Sequence, residues 1–218
     1  MDFFFSILYR FINAPIFEAI ENSQEEEVYR LIERPSIVSA KDKWGRTPLI
    51  AAASANMPKV VEKLIQNGSD VNYVSNKNGS TAMCAASMVG ATEVAKLLIA
   101  AGADPDQDST DPDKTCEKMT PLMWASNRGH ADFAELLVES GVNLDKVDGG
   151  NTTALMYAAM GGGQNMEVFE VLIKHEPNLE IKDWRGRSVL DEARDRDKNS
   201  NKPEMKNLIK KYYGGLDI

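Results

Sequence analysis

Residues 45–68, GRTPLIAAASANMPKVVEKLIQNG, decide the fold. Pro48 at the first turn of a helix sacrifices no hydrogen bond, and Thr47 before it can cap the free amides. Ala51, Ala52 and Ala53 let a neighbouring element approach closely. Val60, Val61, Leu64 and Ile65 recur at three and four, the apolar stripe of a second amphipathic helix. Gly68 then supplies the left-handed residue that ends it. The stretch reads as helix, turn, helix. It leaves one apolar face that only another such unit can cover.

Working outward, the same unit recurs. Thr47-Pro48-Leu49 is echoed by Thr81-Ala82-Met83, Thr120-Pro121-Leu122, Thr153-Ala154-Leu155, a degraded Ser188-Val189-Leu190 and an earlier Ala14-Pro15-Ile16. The steps between their first residues are 33, 34, 39, 33 and 35. Alanines follow each box, as at Ala85-Ala86, Ala125, Ala158-Ala159 and Ala193. Second-helix stripes follow in turn (Val94, Leu97, Leu98; Phe133, Leu136, Leu137; Val168, Val171, Leu172), and Gly102 and Gly141 repeat the stop at Gly68. Between units, Asp42-Lys43-Trp44-Gly45, Lys77-Asn78-Gly79 and Trp184-Arg185-Gly186 hold the Gly that a tight hairpin turn demands.

This pattern resembles the ankyrin repeat, with its 33-residue period and T-P-L-H-x-A signature. The resemblance covers residues 14–213 and implies an all-α ankyrin-repeat solenoid, helix-turn-helix units joined by β-hairpin-like loops. The units fall near residues 14–41, 42–75, 76–108, 115–147, 148–182 and 183–213. The chain departs from the family at the fourth residue of the box, where His is usual. Here Ile50, Cys84, Met123, Met156 and Asp191 stand, and an apolar ladder with methionine filling irregular gaps is the expected substitute. Three insertions are expected as loops: an acidic one at 109–114, a second within 161–165 and a third within 197–203. Residues 214–218 form a tail.

The net charge is -8. Nucleic acid is thereby a poor partner, since phosphate binding needs a clustered basic surface, whereas a basic protein would be attracted. No run approaches the roughly 18 apolar residues that span a bilayer. Residues 1–13, MDFFFSILYRFIN, stay open to three readings: a helix capping the stack, a membrane-surface anchor, or a vestige of targeting. Membrane contact is not favoured, because the segment has a single Arg where anchors carry a basic face. The compartment is cytoplasmic by default, with a secreted or periplasmic site also open.

Catalysis is not expected. Cys84 and Cys116 lack an evident base, His130 and His175 fall in different units, and no metalloprotease or phosphate-loop motif occurs. Asp104, Asp106 and Asp108 begin like a calcium loop, yet Ser109 and Thr115 replace its Gly and Glu. No metal or cofactor is expected.

The ankyrin resemblance implies that a partner lies across the concave face, on hairpin tips and outward residues of each first helix. Carried over by position, the contact residues are Trp44, Arg46, Met88, Met119, Trp124, Asn127, Arg128, Tyr157, Met160, Trp184, Arg185 and Arg187. Exposed Trp, Met and Arg form the composition of interface hot spots. The expected function is non-catalytic binding of one folded protein, a basic protein or an enzyme among the candidates, by a chain that is monomeric when free. With no second domain expected beside the repeats, masking or inhibition is the expected mode, as in an inhibitor, immunity protein or effector. The alternative is an adaptor anchored at the membrane by residues 1–13.

Overall fold

The computed structural model describes residues 15–109, 118–161, 165–200 and 204–214. The expected N-terminal cap or anchor at 1–13, nearly all of the acidic insertion, part of the second insertion and the end of the tail lie outside them. Two compact units divide the chain, Met1–Cys116 and Glu117–Ile218.

The first unit contains α1 (15–21), α2 (Glu25–Ile32), α3 (Pro35–Val38), α4 (Pro48–Ser54), α5 (Pro58–Gln66), α6 (Ala82–Val89) and α7 (Thr92–Ala100). The first helices α4 and α6 lie side by side, and the second helix α5 packs on α2 and α7. The second unit contains α8 (Pro121–Arg128), α9 (Ala131–Glu139), α10 (Ala154–Met160), α11 (Met166–Ile173), α12 (Val189–Ser200) and α13 (Glu204–Tyr213). There α10 packs on α8 and α12, and α11 on α9 and α13. The architecture is the all-α repeat that the boxes imply. The single β feature among the described residues is the bridge between Lys182 and Ser188.

Four first helices, α4, α6, α8 and α10, begin on a hydroxyl cap. Thr47 Oγ1 accepts from the Ile50 amide at 3.4 Å, Thr81 from Cys84 at 3.0 Å, Thr120 from Met123 at 3.2 Å and Thr153 from Met156 at 3.2 Å. Each such cap stabilises its helix by about 1 kcal/mol. The same four residues turn their side chains into the core, where Ile50, Cys84, Met123 and Met156 are all buried. The last unit closes the box the other way round. Asp191 Oδ2 accepts from the Ser188 amide at 3.0 Å and its hydroxyl at 3.1 Å, the carboxylate half of a capping box.

The alanines Ala52, Ala53, Ala86, Ala125 and Ala158 are completely buried, so helices meet nearly backbone to backbone. Around them Val60, Val61, Leu64, Leu98, Phe133, Leu137, Phe169 and Leu172 fill the core, each worth roughly 1.5–3 kcal/mol of transfer free energy. Gly68, Gly102 and Gly141 stop second helices at φ of 85°, 85° and 80°, a region that a side chain would strain.

One expectation is corrected. Residues 197–200 of the third insertion do not loop out but continue α12 to Ser200, 12 residues against 7 or 8 in α4, α6, α8 and α10, and residues 201–203 lie outside the described ones. Leu190, Glu192, Ala193, Arg194 and Arg196 are good helix formers, and Arg194 pairs with Asp191 one turn back at 3.3 Å, so the helix is well propagated when it reaches the insertion.

Candidate protein-binding surface

The hairpins between repeats are tied by an aspartate at their start. Asp42 Oδ1 accepts from the amides of Trp44 at 2.9 Å and Arg46 at 2.8 Å. Asp148 does the same for Gly150 and Thr152, both at 2.8 Å, and Asp183 for Arg185 at 2.9 Å and Arg187 at 3.0 Å. A backbone bond closes each base: Asp42 N to Arg46 O at 3.0 Å, Ser75 N to Ser80 O at 2.9 Å, Asp148 N to Thr152 O at 3.2 Å and Asp183 N to Arg187 O at 2.9 Å. Sequence reasoning passed over these aspartates. Their signal was present, since Asp42 and Asp183 each stand three residues before the turn glycine, as an Asx turn requires.

Adjacent hairpins are also joined. Ser75 Oγ donates to the Trp44 carbonyl and Lys77 Nζ to the Lys43 carbonyl, both at 2.9 Å. In the second unit the Trp184 amide donates to the Gly150 carbonyl at 2.9 Å. Main chain and aspartate thus fix the path, and the side chains between them face outward.

The exposed large hydrophobics among the described residues are Trp44, Met88 and Val89 in the first unit and Val147, Met160 and Trp184 in the second. Every one stands in a hairpin or at the last turn of a first helix; the second helices carry none. Trp184 is 78% exposed and Trp44 45%. Asn127 and Arg128 are exposed at the end of α8. Trp124 and Tyr157 are half-buried at matching positions of α8 and α10, and the Tyr157 hydroxyl donates to Asp148 Oδ2 at 2.6 Å.

Met119 departs from expectation. It is buried, with 8% of its surface exposed. The residue just before each cap turns back toward its repeat: Arg46, Ser80 and Arg187 are half-buried there, Thr152 and Met119 buried. An apolar side chain at that place goes fully inside. The two arginines bury their stems and pair their heads, Arg46 with Asp42 at 2.7 Å and Glu21 at 3.6 Å, Arg187 with Glu192 at 2.9 Å and Asp195 at 2.7 Å.

The two sets of tips differ electrostatically. In the second unit Arg185, exposed, pairs with Asp183 at 2.8 Å and Glu192 at 3.0 Å and reaches the Met160 sulfur at 3.9 Å. Burial works against the charged Asp183, but the amides of Arg187 and Arg185 and the Arg185 guanidinium outweigh it and hold its carboxyl below the ordinary range. In the first unit the Trp44 ring has Lys43 Nζ 4.0 Å and Arg46 Cζ 4.7 Å from its centroid, and Lys41 Nζ lies 4.6 Å from that of Tyr73. These are cation–π distances.

Cys84 is not placed as a nucleophile: burial pushes its thiol up to about 12, and a thiolate is what attacks. Cys116 lies outside the described residues. Among the described residues no group of three His, Cys, Asp or Glu side chains is placed to hold a metal ion, and no helix is long and apolar enough to cross a membrane.

Capped helix pairs joined by tied hairpins, repeated in each unit, define a repeat-built binding scaffold. The family model for ankyrin repeats (3 copies) matches residues 16–111 and 108–183, and the chain belongs to the ankyrin repeat family. Ankyrin repeats are protein–protein interaction modules, in general non-catalytic. Ankyrin repeat domain-containing protein 63 of Mus musculus is 33% identical over 135 residues, 58% of this chain and 33% of its own. Inversin of Canis lupus familiaris is 32% identical over 172 residues, 78% of this chain and 15% of its own. The chain therefore spans about a third or less of the length of these curated relatives. A chain from the structure of the Bd0816 predatory endopeptidase of Bdellovibrio bacteriovorus in complex with immunity protein Bd3460 has a TM-score of 0.72 and 28% identity, covering 90% of this chain and 97% of that one.

Proposed function

We propose that this chain is a non-catalytic binder that takes one folded protein on its hairpins and first helices and acts by masking it. The observation that carries this reading is the placement of the exposed hydrophobics, all on the hairpins and first-helix ends. Exposed apolar side chains confined to such elements mark interaction surfaces, and Trp, Met and Arg are the residues enriched where binding energy concentrates. The likeness to a chain from an endopeptidase–immunity protein complex supports masking of an enzyme as the mode.

The test begins with capture of proteins from the source organism on the immobilised chain and their identification by mass spectrometry. Affinity for the captured protein is then measured by calorimetry. Trp44→Ala and Trp184→Ala are each expected to weaken binding by about thirtyfold, the loss of roughly 2 kcal/mol expected of a hot-spot Trp, with the far-UV circular dichroism unchanged. Undiminished binding by the double variant would place the partner on another face. Full activity of a saturated partner would replace masking with scaffolding.

A further inference from the structure

The acidic balance of the chain, -8 overall, stops at the hairpin tips of the first unit. Residues 41–46 and 75–80 hold Lys41, Lys43, Arg46 and Lys77 against Asp42 alone. Asp42 and Glu21 are both engaged on Arg46. Lys41, Lys43 and Lys77 form no ion pair among the described residues. They are nevertheless held in place. Lys43 lies over the Trp44 ring, Lys41 over the Tyr73 ring, and Lys77 Nζ donates to the Lys43 carbonyl. A long side chain normally loses rotamer freedom when it forms a surface ion pair, which is why such pairs contribute little. Here the aromatic rings and a carbonyl have already removed much of that freedom while leaving the charge unneutralised, so a pair formed on binding gives up less.

We propose that this cluster receives an acidic segment of the partner polypeptide, whose carboxylates pair with Lys41, Lys43 and Lys77 while an apolar neighbour packs on the exposed part of Trp44. The proposal rests on the reading that the hairpins are the binding face. A protein segment fits better than nucleic acid. A phosphate backbone extends its charge beyond three lysines onto a chain of net charge -8, where it is repelled. A short acidic segment stays within about 8 Å of the lysines, the screening distance at physiological salt, and so feels them rather than the distant carboxylates. The second unit offers no equivalent at Arg185 and Arg187, whose charges are taken up by Asp183, Glu192 and Asp195.

The probe is a short synthetic peptide of Asp and Glu around one central Leu, titrated into the ¹⁵N-labelled full chain. Its controls are a Lys peptide of the same length and a short oligothymidylate. The acidic peptide is expected to shift the Trp44 indole signal and the amides of Lys43, Gly45, Lys77 and Gly79. Its affinity is expected to fall as salt rises, and to fall about tenfold in a Lys41→Gln, Lys43→Gln, Lys77→Gln variant, the summed effect of three surface pairs. Circular dichroism of that variant checks that the fold is intact. An unshifted Trp44, an equal response to the Lys peptide, or undiminished affinity of the triple variant overturns the proposal. Tighter binding of oligothymidylate also overturns it, in favour of a nucleic-acid contact. With the captured partner in hand the two readings separate: loss of binding by the Trp variants with full retention by the triple variant leaves the hairpin face standing and removes the acidic segment.

Discussion

Asp148→Ala removes three hydrogen bonds at once. Oδ1 accepts the Gly150 and Thr152 amides at 2.8 Å, and Oδ2 accepts the Tyr157 hydroxyl at 2.6 Å. The residue is 6% exposed, and Gly150 and Thr152 are buried as well, so the amides left behind reach water poorly. Hydrogen bonds to a charged group are each worth about 1.5–3 kcal/mol. Their simple total overshoots, because the three share one carboxylate and the hairpin can relax. A loss of about 3–5 kcal/mol is expected for alanine, in the range of a broken buried network. Asp148→Asn keeps one acceptor for the two amides and is expected to lose about 1–2 kcal/mol, as is Tyr157→Phe. Urea unfolding followed by circular dichroism and, in a Trp44→Phe, Trp124→Phe background, by Trp184 fluorescence measures this. Trp184 reports on the same place, since its amide bonds the Gly150 carbonyl. A double cycle of Asp148→Asn with Tyr157→Phe should be non-additive. If alanine destabilises by less than about 1 kcal/mol, the backbone bond from Asp148 to Thr152 holds the turn unaided and the reasoning fails.

Cys84, in a Cys116→Ser background, should resist Ellman's reagent at pH 8 until urea unfolds the chain, because its thiol is buried and pushed up to about 12; prompt labelling of the native protein would contradict that burial. Gly161→Ala would set a Cβ 1.7 Å from Asn165 Nδ2, which donates to the Ser126 carbonyl at 2.6 Å and is buried, so a loss of about 1–3 kcal/mol is expected from overpacking; wild-type stability would show that Asn165 has room to move. The Asp191 carboxyl is held below its ordinary value, first by the Ser188 amide and against some burial. A depressed folded value stabilises above the unfolded pKa of about 3.9 and is lost as pH falls through the folded one. Asp191→Asn should therefore be less stable than wild type at pH 7, with the gap closing on acidification, and a constant gap would remove the charge from the account.

Much of the repeat was readable because its chemistry is local. A Thr before a helix and a Gly after one act within a few residues, so Thr47, Thr120, Gly68 and Gly141 carried their meaning in the sequence alone. The apolar substitutes at Ile50, Cys84, Met123 and Met156 were readable for the same reason, as they recur at a fixed offset from each cap. Exposure of Trp44 and Trp184 followed from turns too short to fold a ring inward. Burial of Met119 did not, because the path of the inserted segment before it is not a local property. The length of α12 was missed because Asp197, Asn199 and Ser200 are weak helix formers and read as a loop, whereas a helix already propagated from Val189 runs on through them. Which arginines are neutralised and which lysines stay uncompensated depends on carboxylates as distant as Glu21 from Arg46, a matter of three-dimensional distance.

The aspartate-tied hairpins have a consequence for how such a chain changes over generations. Asp42, Asp183 and the turn glycines carry the geometry, while Lys43, Trp44 and Trp184 contribute only their backbones to it. On the proposed binding face, substitution at those three positions is expected to alter what is recognised and to leave the folding of the repeats nearly untouched. A lineage can thus follow a drifting target by rewriting a few letters at the tips. A library randomised at residues 43, 44 and 184 should yield new specificities from variants that remain as stable as their parent.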